Sequence, residues 1–490
     1  MDESYPPKAS ADVLPELAVF LAPFALLLHN AQSRHSLHRY LTGLLSDLPR
    51  KNCDTIAATV AGTSPERLQH LLTDALWEAQ TLDEARVRAL SARSPAGGVL
   101  VLDETGLPKK GNRSPGVAAQ YCGTLGKIAN CQVVVSAEYV VDVPSTSQPL
   151  HWPVSAQLFL PDAWMADPAR RTQAHIPTAE SAQTKLERAL ALLDRARAWG
   201  VPFAAVVADA GYGDTPAFLA ALEARGVPYV CGVASDFGVR LPDAVAAAAA
   251  EASAWAEAPA RVRLAGNRGG RGQPKRPRPA PLRSVAAVVD TLPPDAWQTI
   301  TWRDGSRDPT GATGTLGKQF VAVRVQRATG GAHLPITDRR VSTGPEGWLL
   351  GERPVPGTAG ERKYYLSALP ADTSLPRLVE LAHARWAIEQ FYEEAKGECG
   401  LDDYQGRRWD GLHRHLALVM LAYSFLAVQA LPAPEAAPPG GASGAFPPGA
   451  PAQSPSRPSP GPGLAVPGSR PLAHRDQPNP SLPSTEKLTQ

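Results

Sequence analysis

The sequence predicts a mixed α/β fold preceded by a helical N-terminal domain. Short apolar runs typical of buried strands alternate along the chain with segments of helical periodicity. The 490 residues are enough for a large core and two to four domains. The 49 prolines and 41 glycines are too many for uniform packing, so we expect part of the chain to be linker or tail.

The overall composition narrows the class of protein. The 49 basic and 47 acidic residues nearly cancel, so any nucleic-acid contact must come from local clusters of charge. Five scattered cysteines without a CxxC pair favour neither disulfides nor a zinc site. The most apolar early stretch, 14–28, contains Glu16 and lacks a basic leader, and no run reaches the ~18 apolar residues of a membrane span. We therefore expect a cytoplasmic protein without a membrane segment.

Residues 1–95 are predicted to form a helical N-terminal domain. Apolar residues recur there at intervals of three and four, as on the buried face of a helix. The motif Thr63-Ser64-Pro65-Glu66 is typical of a helix start, with a capping serine before a proline. The basic residues of this domain form either a phosphate-facing surface or an ordinary solvated face; they are Arg34, His35, His38, Arg39, Arg50 and Lys51.

Residues 96–234 are predicted to be the first part of the α/β core. The predicted elements are a strand 99–102 ending at Asp103, strands 132–141 and 154–160, a helix 178–199, a strand 203–208 ending at Asp209, a helix after 214–216 and a strand 229–233. This order is typical of a ribonuclease H-like sheet, in which parallel and antiparallel strands are mixed. A doubly wound sheet would alternate strands and helices throughout.

The remaining chain is predicted to contain an insertion, the end of the core and a tail. Residues 235–361 form the insertion, a mainly-β subdomain with strands at 297–302 and 320–325 and a flexible basic stretch. That stretch has no acidic residue between its first and last cation and suits phosphate contacts; the cations are Arg261, Arg263, Arg268, Arg271, Lys275, Arg276, Arg278 and Arg283. Residues 362–430 complete the core, with a long helix at about 374–398. Residues 431–490 are predicted to be a disordered Pro/Gly/Ser-rich tail.

Three carboxylates are the candidate catalytic and metal-binding residues. Asp103 and Asp209 each follow a predicted buried strand, where side chains emerge at the sheet edge. Each of them alone is equally compatible with a turn or a helix cap. Glu389 lies on the long helix, on the same edge as Arg385 and Lys396. Taken alone, that helix is also compatible with a surface Arg–Glu salt bridge.

Together these residues resemble the DDE transposases of bacterial insertion sequences, in the branch with a Tyr-Arg-Glu-Lys signature. Arg385, Glu389 and Lys396 match the signature spacing, whereas Ala382 stands at the tyrosine position and Tyr392 is a candidate substitute. The motifs that carry the resemblance over about residues 15–430 are Leu102-Asp103-Glu104-Thr105-Gly106, Lys109-Lys110-Gly111, Gln120-Tyr121-Cys122-Gly123, Asn130-Cys131-Gln132, Ala208-Asp209-Ala210-Gly211-Tyr212-Gly213, Arg385-Trp386, Leu401-Asp402-Asp403-Tyr404-Gln405 and Arg408-Trp409.

The resemblance implies metal-dependent phosphoryl transfer on double-stranded DNA. Asp103, Asp209 and Glu389 would hold two Mg²⁺ ions, with Mn²⁺ as a substitute, because these ions prefer oxygen ligands. The residues expected to contact DNA phosphates are Arg385, Lys396, Lys109 and Lys110. The DNA partners would be the element ends and the target, bound by a homodimer, and the helical domain of residues 1–95 would bind the ends.

Three questions stay open at this level. Glu104 follows Asp103 directly and is an alternative first carboxylate, although strand alternation would turn it to the other face of the sheet. A ribonuclease H-like endonuclease without strand transfer would share the three carboxylates. A catalytically inactive, transposase-derived DNA-binding protein is the third reading of the same sequence.

Overall fold

A computed structural model describes residues 14–143, 149–259, 277–307, 313–328 and 343–429. These residues all lie in one structural unit, and residues 430–490 are not among them. The predicted tail therefore lies outside the described residues. So does most of the predicted basic stretch, of which only Arg278 and Arg283 are described.

Five helices make up the N-terminal region. They are α1 Pro15–Ala25, α2 Ala31–Leu44, α3 Cys53–Thr59, α4 Pro65–Thr73 and α5 Ala79–Ser91. The predicted helix start at Ser64-Pro65 is confirmed, because the Ser64 hydroxyl accepts a hydrogen bond from the backbone N–H of Arg67. The apolar faces of these helices share one core with the sheet and with the last described helix. The helices are thus a layer of the fold and do not enclose a separate core.

The strands within the described residues form one mixed sheet. They are β1 Gly98–Pro108, β2 Ala118–Cys122, β3 Lys127–Val141, β4 Leu150–Leu158, β5 Phe203–Ala208, β6 Tyr229–Val233, β7 Gly238–Arg240, β8 Arg283–Ser284, β9 Gln298–Arg307, β10 Thr313–Ala328, β11 Thr343–Arg353 and β12 Lys363–Ser367. Strand order is β2-β3-β1-β5-β6-β12-β11-β10-β7-β8, with β4 on β3 and β9 on β10. The β1–β5 and β5–β6 pairs are parallel and the other pairs are antiparallel, which agrees with the predicted ribonuclease H-like arrangement.

Ten further helices in the described residues cover the sheet or connect its strands. They are α6 Asp162–Met165, α7 Pro168–Gln173, α8 Lys185–Ala198, α9 Ala210–Gly213, α10 Pro216–Ala224, α11 Pro242–Glu257, α12 Val285–Val289, α13 Leu375–His383, α14 Trp386–Gly397 and α15 Trp409–Gln429. The predicted start of a helix at residue 178 is wrong, because Thr184 and Glu187 form a capping box that starts α8 at Lys185.

The strands within the predicted insertion belong to the same sheet as the other strands, since β12 joins β11 and β10 to β6. Two other predicted features differ in the structure. The first strand does not end at Asp103 but runs to Pro108, because residues 103–108 pair with β3. The predicted long helix 374–398 is broken between α13 and α14. The amides of Ala387 and Ile388 bond to carbonyls three residues back, so the chain tightens there into a 3₁₀ turn.

The two faces of β1 belong to different cores. Val99 and Val101 pack in the core that holds α14 and α15, whereas Leu100 and Leu102 pack in the core that holds α8 and α10. Because successive strand residues alternate between faces, Asp103 lies on the α14 side and its neighbour on the α8 side. This alternation decides which carboxylate can approach the helix that carries Glu389.

Helix α15 is the central helix of the core that contains Val99 and Val101 of β1. Among the described helices it is the one long and apolar enough to cross a membrane, but 78% of its apolar window is buried inside the protein. It also carries the buried side chains of Arg414 and His415, which hydrogen bond to backbone carbonyls of other elements. Extensive burial against protein together with paired charged groups is the environment of a core helix.

Candidate active site

Asp103 and Asp209 are brought side by side by parallel strand pairing. Strands β1 and β5 run parallel, and the last pair in their register is Leu102 with Ala208. The next residue of each chain is an aspartate, so both carboxylates emerge from the same edge of the sheet. β1 continues past this point while β5 gives way to α9, which Asp209 precedes as the N-terminal flanking residue.

The Asp103 carboxylate is buried and electrostatically strained. Its side chain accepts hydrogen bonds from the backbone N–H of Glu104 at 2.7 Å and from Arg385 Nη1 at 2.9 Å. Burial, together with the negative charge of Asp209, raises the pKa of Asp103 to about 7, although Arg385 works in the opposite direction. A cation held between the two aspartates would relieve this strain.

The Asp209 carboxylate has an unsatisfied oxygen. Its Oδ1 atom is buried and has no hydrogen-bond partner among the described residues. A buried carboxylate oxygen without a donor is unfavourable unless something else satisfies it. The oxygen chemistry of the two aspartates and this free ligand position fit a divalent cation. The Asp103–Asp209 pair therefore fits the metal that the sequence predicts.

Tight packing fixes the turn that follows Asp209. A Cβ atom added at Gly213 would lie 2.0 Å from the carbonyl oxygen of Gly232 on β6. The short helix α9 can therefore approach the sheet only because residue 213 has no side chain. We therefore expect this contact to help position the Asp209 carboxylate.

Gly213→Ala is expected to destabilise the protein by roughly 1–3 kcal/mol and to displace Asp209, since α9 must move away from β6. Urea unfolding measures the first effect, and stabilisation by added Mg²⁺ reports the second. Gly397→Ala is the matched control, because an added Cβ there meets nothing within 4 Å. Equal stability and equal Mg²⁺ response of both variants would show that the close approach does not position Asp209.

Arg385 lies between the aspartates and Glu389. It occupies the 3₁₀ turn that starts α14, and its two terminal nitrogens reach Asp103 and Glu389, respectively. The Glu389 side chain is 57% exposed. Consequently no group of three or more His, Cys, Asp or Glu residues in the described part is arranged to hold a metal. The structure brings Asp103 and Asp209 together, whereas Arg385 lies between Asp103 and Glu389.

Two cavities flank Asp209. One of about 530 Å³ lies on the α14 side and is lined by Asp209, Arg385 and Glu389. Ala382, which stands at the tyrosine position of the signature, lines the same cavity, as does the aromatic side chain of Tyr365. The other cavity, of about 610 Å³, lies on the α8 side. Its lining includes Glu104, Phe159, Lys185, Asp209 and Tyr212.

Glu104 is held on the α8 side of the sheet. Its carboxylate pairs with Lys185 and accepts a hydrogen bond from the Tyr212 hydroxyl at 3.3 Å. Burial raises the pKa of Tyr212 well above its usual value, so the tyrosine remains a donor. The geometry therefore favours Asp103 over Glu104 as the carboxylate that faces Glu389.

Sequence reasoning gave no role to Lys185 or Tyr212. Tyr212 lies in the motif Ala208-Asp209-Ala210-Gly211-Tyr212-Gly213, three residues after Asp209, so its position was visible in the sequence. Lys185 carried no local signal, because α8 brings it to Glu104 only through packing on the sheet.

Tyr392, the candidate substitute for the missing tyrosine, lies below this edge. Its hydroxyl shares a hydrogen bond with Ser136, the β3 residue paired with Asp103. It is buried on the same face of the sheet as Asp103. The structure thus places it behind the carboxylate and not in the cavity lined by Ala382 and Glu389.

The predicted DNA-binding lysines have different surroundings. Lys396 Nζ donates to the hydroxyls of Thr105 and Thr124, both at 2.7 Å, so it lies near the carboxylates. Lys109 Nζ donates to the carbonyls of Asp402 and Tyr404, and burial lowers its pKa to about 8. Lys109 is therefore engaged in holding the 402–404 loop. Lys110 is exposed and lines a cavity of about 910 Å³ together with Lys396.

The metal-free protein is expected to lose stability as the pH rises, because of Asp103. A carboxyl whose folded pKa of about 7 exceeds its ordinary value of 3.8 contributes stability below the lower value. That contribution to the free energy of unfolding is no more than roughly 4 kcal/mol. It is lost as the pH rises through the folded pKa. Urea unfolding between pH 5 and pH 8 in EDTA should show a steeper loss for wild type than for Asp103→Asn. Added Mg²⁺ should restore wild type alone; parallel profiles for the two proteins would contradict the prediction.

The sequence of this chain is similar to those of known proteins. Residues 23–309 match the sequence profile of a family described as DDE superfamily endonuclease. The match contains Asp103 and Asp209 and stops before Glu389.

A probable transposase for insertion sequence element IS701 from Microchaete diplosiphon is 30% identical over 206 residues, which are 41% of this chain and 50% of that protein. The chain thus spans about half the length of this relative. Because the family match covers more than half of the chain and contains both aspartates, the chain belongs to the DDE superfamily endonuclease family.

Proposed function

We propose that this chain is a DNA transposase that cuts the ends of an insertion sequence and joins them to target DNA. The observation that carries the proposal is the Asp103–Asp209 pair at one sheet edge, in which Asp103 is buried, Asp209 is half-buried and one buried oxygen of Asp209 is unsatisfied. The similarity to a probable transposase supports it. The spacing of Arg385, Glu389 and Lys396 supports the branch with the Tyr-Arg-Glu-Lys signature.

Asp103 and Asp209 would hold the metal. Enzymes of the DDE superfamily depend on a divalent cation, and carboxylate ligands favour Mg²⁺, with Mn²⁺ as a substitute. Such a cation supplies activation of a water or 3′-hydroxyl and stabilisation of the leaving oxygen in phosphoryl transfer. Glu389 would be the further ligand.

Arg385 is the residue whose contacts must change for Glu389 to join the aspartates. Its guanidinium neutralises Asp103 and Glu389 in the absence of metal. The planar, permanently charged group suits a phosphate equally well, so we infer that it passes from the carboxylates to a DNA phosphate. The vacated space would then be open to the Glu389 carboxylate. In the metal-free protein the Arg385 guanidinium thus supplies the positive charge that the metal would supply.

The remaining cations would position the DNA. Lys396 is fixed by two threonine hydroxyls beside the carboxylates, and exposed Lys110 lies in the adjoining cavity, so both can contact phosphates. Lys109 would contribute through the loop that it holds. Cutting two element ends in one assembly would require a homodimer on double-stranded DNA, at the nucleoid in the cytoplasm.

The test is cleavage and joining on a supercoiled plasmid that carries the DNA ends flanking the coding region. With Mg²⁺ the wild type is expected to release the element and join it to target DNA, and EDTA should stop both steps. Cutting without joining would identify an endonuclease without strand transfer. Binding of the ends without cutting under either Mg²⁺ or Mn²⁺ would identify an inactive DNA-binding relative.

A further inference from the structure

The β2–β3 hairpin carries an exposed apolar face. Tyr121 on β2 pairs with Ile128 on β3, and directly opposed residues point to the same side of a hairpin. Their side chains are 60% and 74% exposed, and Leu125 in the turn is 45% exposed. The opposite side of the hairpin is buried around Cys122 and Cys131. The exposed face therefore does not contribute to the core of the described part of the protein.

Contacts with Lys396 hold the tip of the hairpin at the rim of the candidate active site. The Thr124 hydroxyl donates to the carbonyl oxygen of Gly106 and accepts from Lys396 Nζ, both at 2.7 Å. Lys396 also contacts Thr105, which lies two residues beyond Asp103 on the same face of β1. Two residues of a strand span about 7 Å, so the tip projects close to the carboxylates.

The chain segment around the hairpin tip carries only positive charges. No acidic residue occurs between Glu104 and Glu138, a segment that contains Lys109, Lys110, Arg113 and Lys127. The last three of these cations are exposed. An apolar tip flanked by exposed cations, next to a phosphoryl-transfer site, matches the chemistry of a DNA base step between two phosphates.

We propose that the β2–β3 hairpin is a wedge that enters the DNA base stack beside the cleaved phosphate. Tyr121 and Ile128 separate the bases of one step, while Lys110, Arg113 and Lys127 hold the flanking phosphates. Unstacking frees the strand end to reach Asp103 and Asp209. It also favours ends whose terminal steps unstack easily, such as pyrimidine–purine steps. This inference rests on the proposed function, because it takes the cleaved DNA as the ligand.

The experiment uses the full chain and a DNA duplex with the flanking end sequence. The fluorescent base 2-aminopurine is placed in turn at each base step around the cleavage site. EDTA is present, so that no cleavage occurs. Because 2-aminopurine fluoresces more strongly when unstacked, wild type is expected to raise the fluorescence at one step. The double variant Tyr121→Ser, Ile128→Ser should still bind but lose the rise. In Mg²⁺ it should cut about ten- to a hundredfold more slowly, and an abasic site at that step should restore the rate.

Leu26→Ser is the matched control, since Leu26, in the turn after α1, is 74% exposed and its replacement should leave the fluorescence rise intact. Thermal melting shows that each variant is folded. A wild type that binds without a rise at any step overturns the proposal, as does a double variant that keeps the rise. A double variant that keeps the rise but dissociates a dimer would assign this face to a second copy of the chain. A wild type that unstacks the step but never cuts would refute the proposed function and leave the wedge standing.

Discussion

Asp103→Asn and Asp209→Asn are each expected to lower Mg²⁺-dependent DNA cleavage by about a thousandfold or more. An amide keeps the size of the side chain but removes the negative oxygen that a divalent cation requires. Loss of several kcal/mol of charge stabilisation corresponds to a rate loss of this size. Both variants should still bind the DNA ends, because phosphate contacts from the basic residues remain. Single-turnover cleavage and a binding assay on the same duplex measure the two effects.

The matched control is Asp194→Asn, which changes a half-exposed aspartate paired with Arg225 far along α8. Its cleavage rate should equal that of wild type. If Asp103→Asn cuts DNA nearly as fast as wild type, Asp103 is not the first catalytic carboxylate and another carboxylate takes that role. Glu389→Gln gives a separate answer: a loss similar to that of the aspartate variants means that Glu389 reaches the metal during the reaction. That requires Arg385 to leave the position it occupies here.

Arg86→Leu is expected to destabilise the protein by roughly 3–5 kcal/mol, because the change leaves a buried carboxylate without its partner. Arg86 is fully buried and pairs with Asp83 at 2.8 Å. Its guanidinium also donates to the carbonyls of Pro153 and Val154 on β4 and to Ser424 on α15. One side chain thus connects α5, the sheet and the central helix. Urea unfolding measures the loss.

Two variants separate this effect from the loss of an arginine in general. Arg88→Leu, on the same helix, removes a largely exposed pair with Glu84 and should change the stability by less than about 1 kcal/mol. The double variant Arg86→Leu, Asp83→Leu removes the orphaned charge as well and should recover much of the stability. Failure to recover would attribute the loss to the unpaired carbonyls of β4 and not to Asp83.

Elements whose signals are local could be predicted from the sequence. The strands 203–208 and 229–233 have the predicted bounds, because each is a short apolar run between turn residues. The start of α4 is correct because the Ser-Pro cap is contained within a few residues. The opposite faces of Asp103 and Glu104 also follow from strand geometry alone.

Elements that depend on distant partners could not be predicted. Residues 103–108 contain polar residues and a glycine that look like a turn, and only pairing with β3 makes them a strand. The helix 374–398 has continuous helical periodicity, but in the structure its backbone tightens at a turn. Beside that turn His383 stacks on Trp302 at 3.8 Å and Arg385 reaches Asp103. Those contacts involve residues far apart in sequence.

The sequence by itself determined which residues are candidates for the chemistry: two aspartates after buried strands, a glutamate in register with an arginine and a lysine, and the motifs of a known family. These features are local, so residue type and spacing are enough to reveal them. Only the tertiary structure decided that Asp103 meets Asp209, that Arg385 stands between them and Glu389, and that Glu104 turns to Lys185. Those relations depend on which strands pair and which face of the sheet a helix covers. No single segment of the sequence determines such long-range packing.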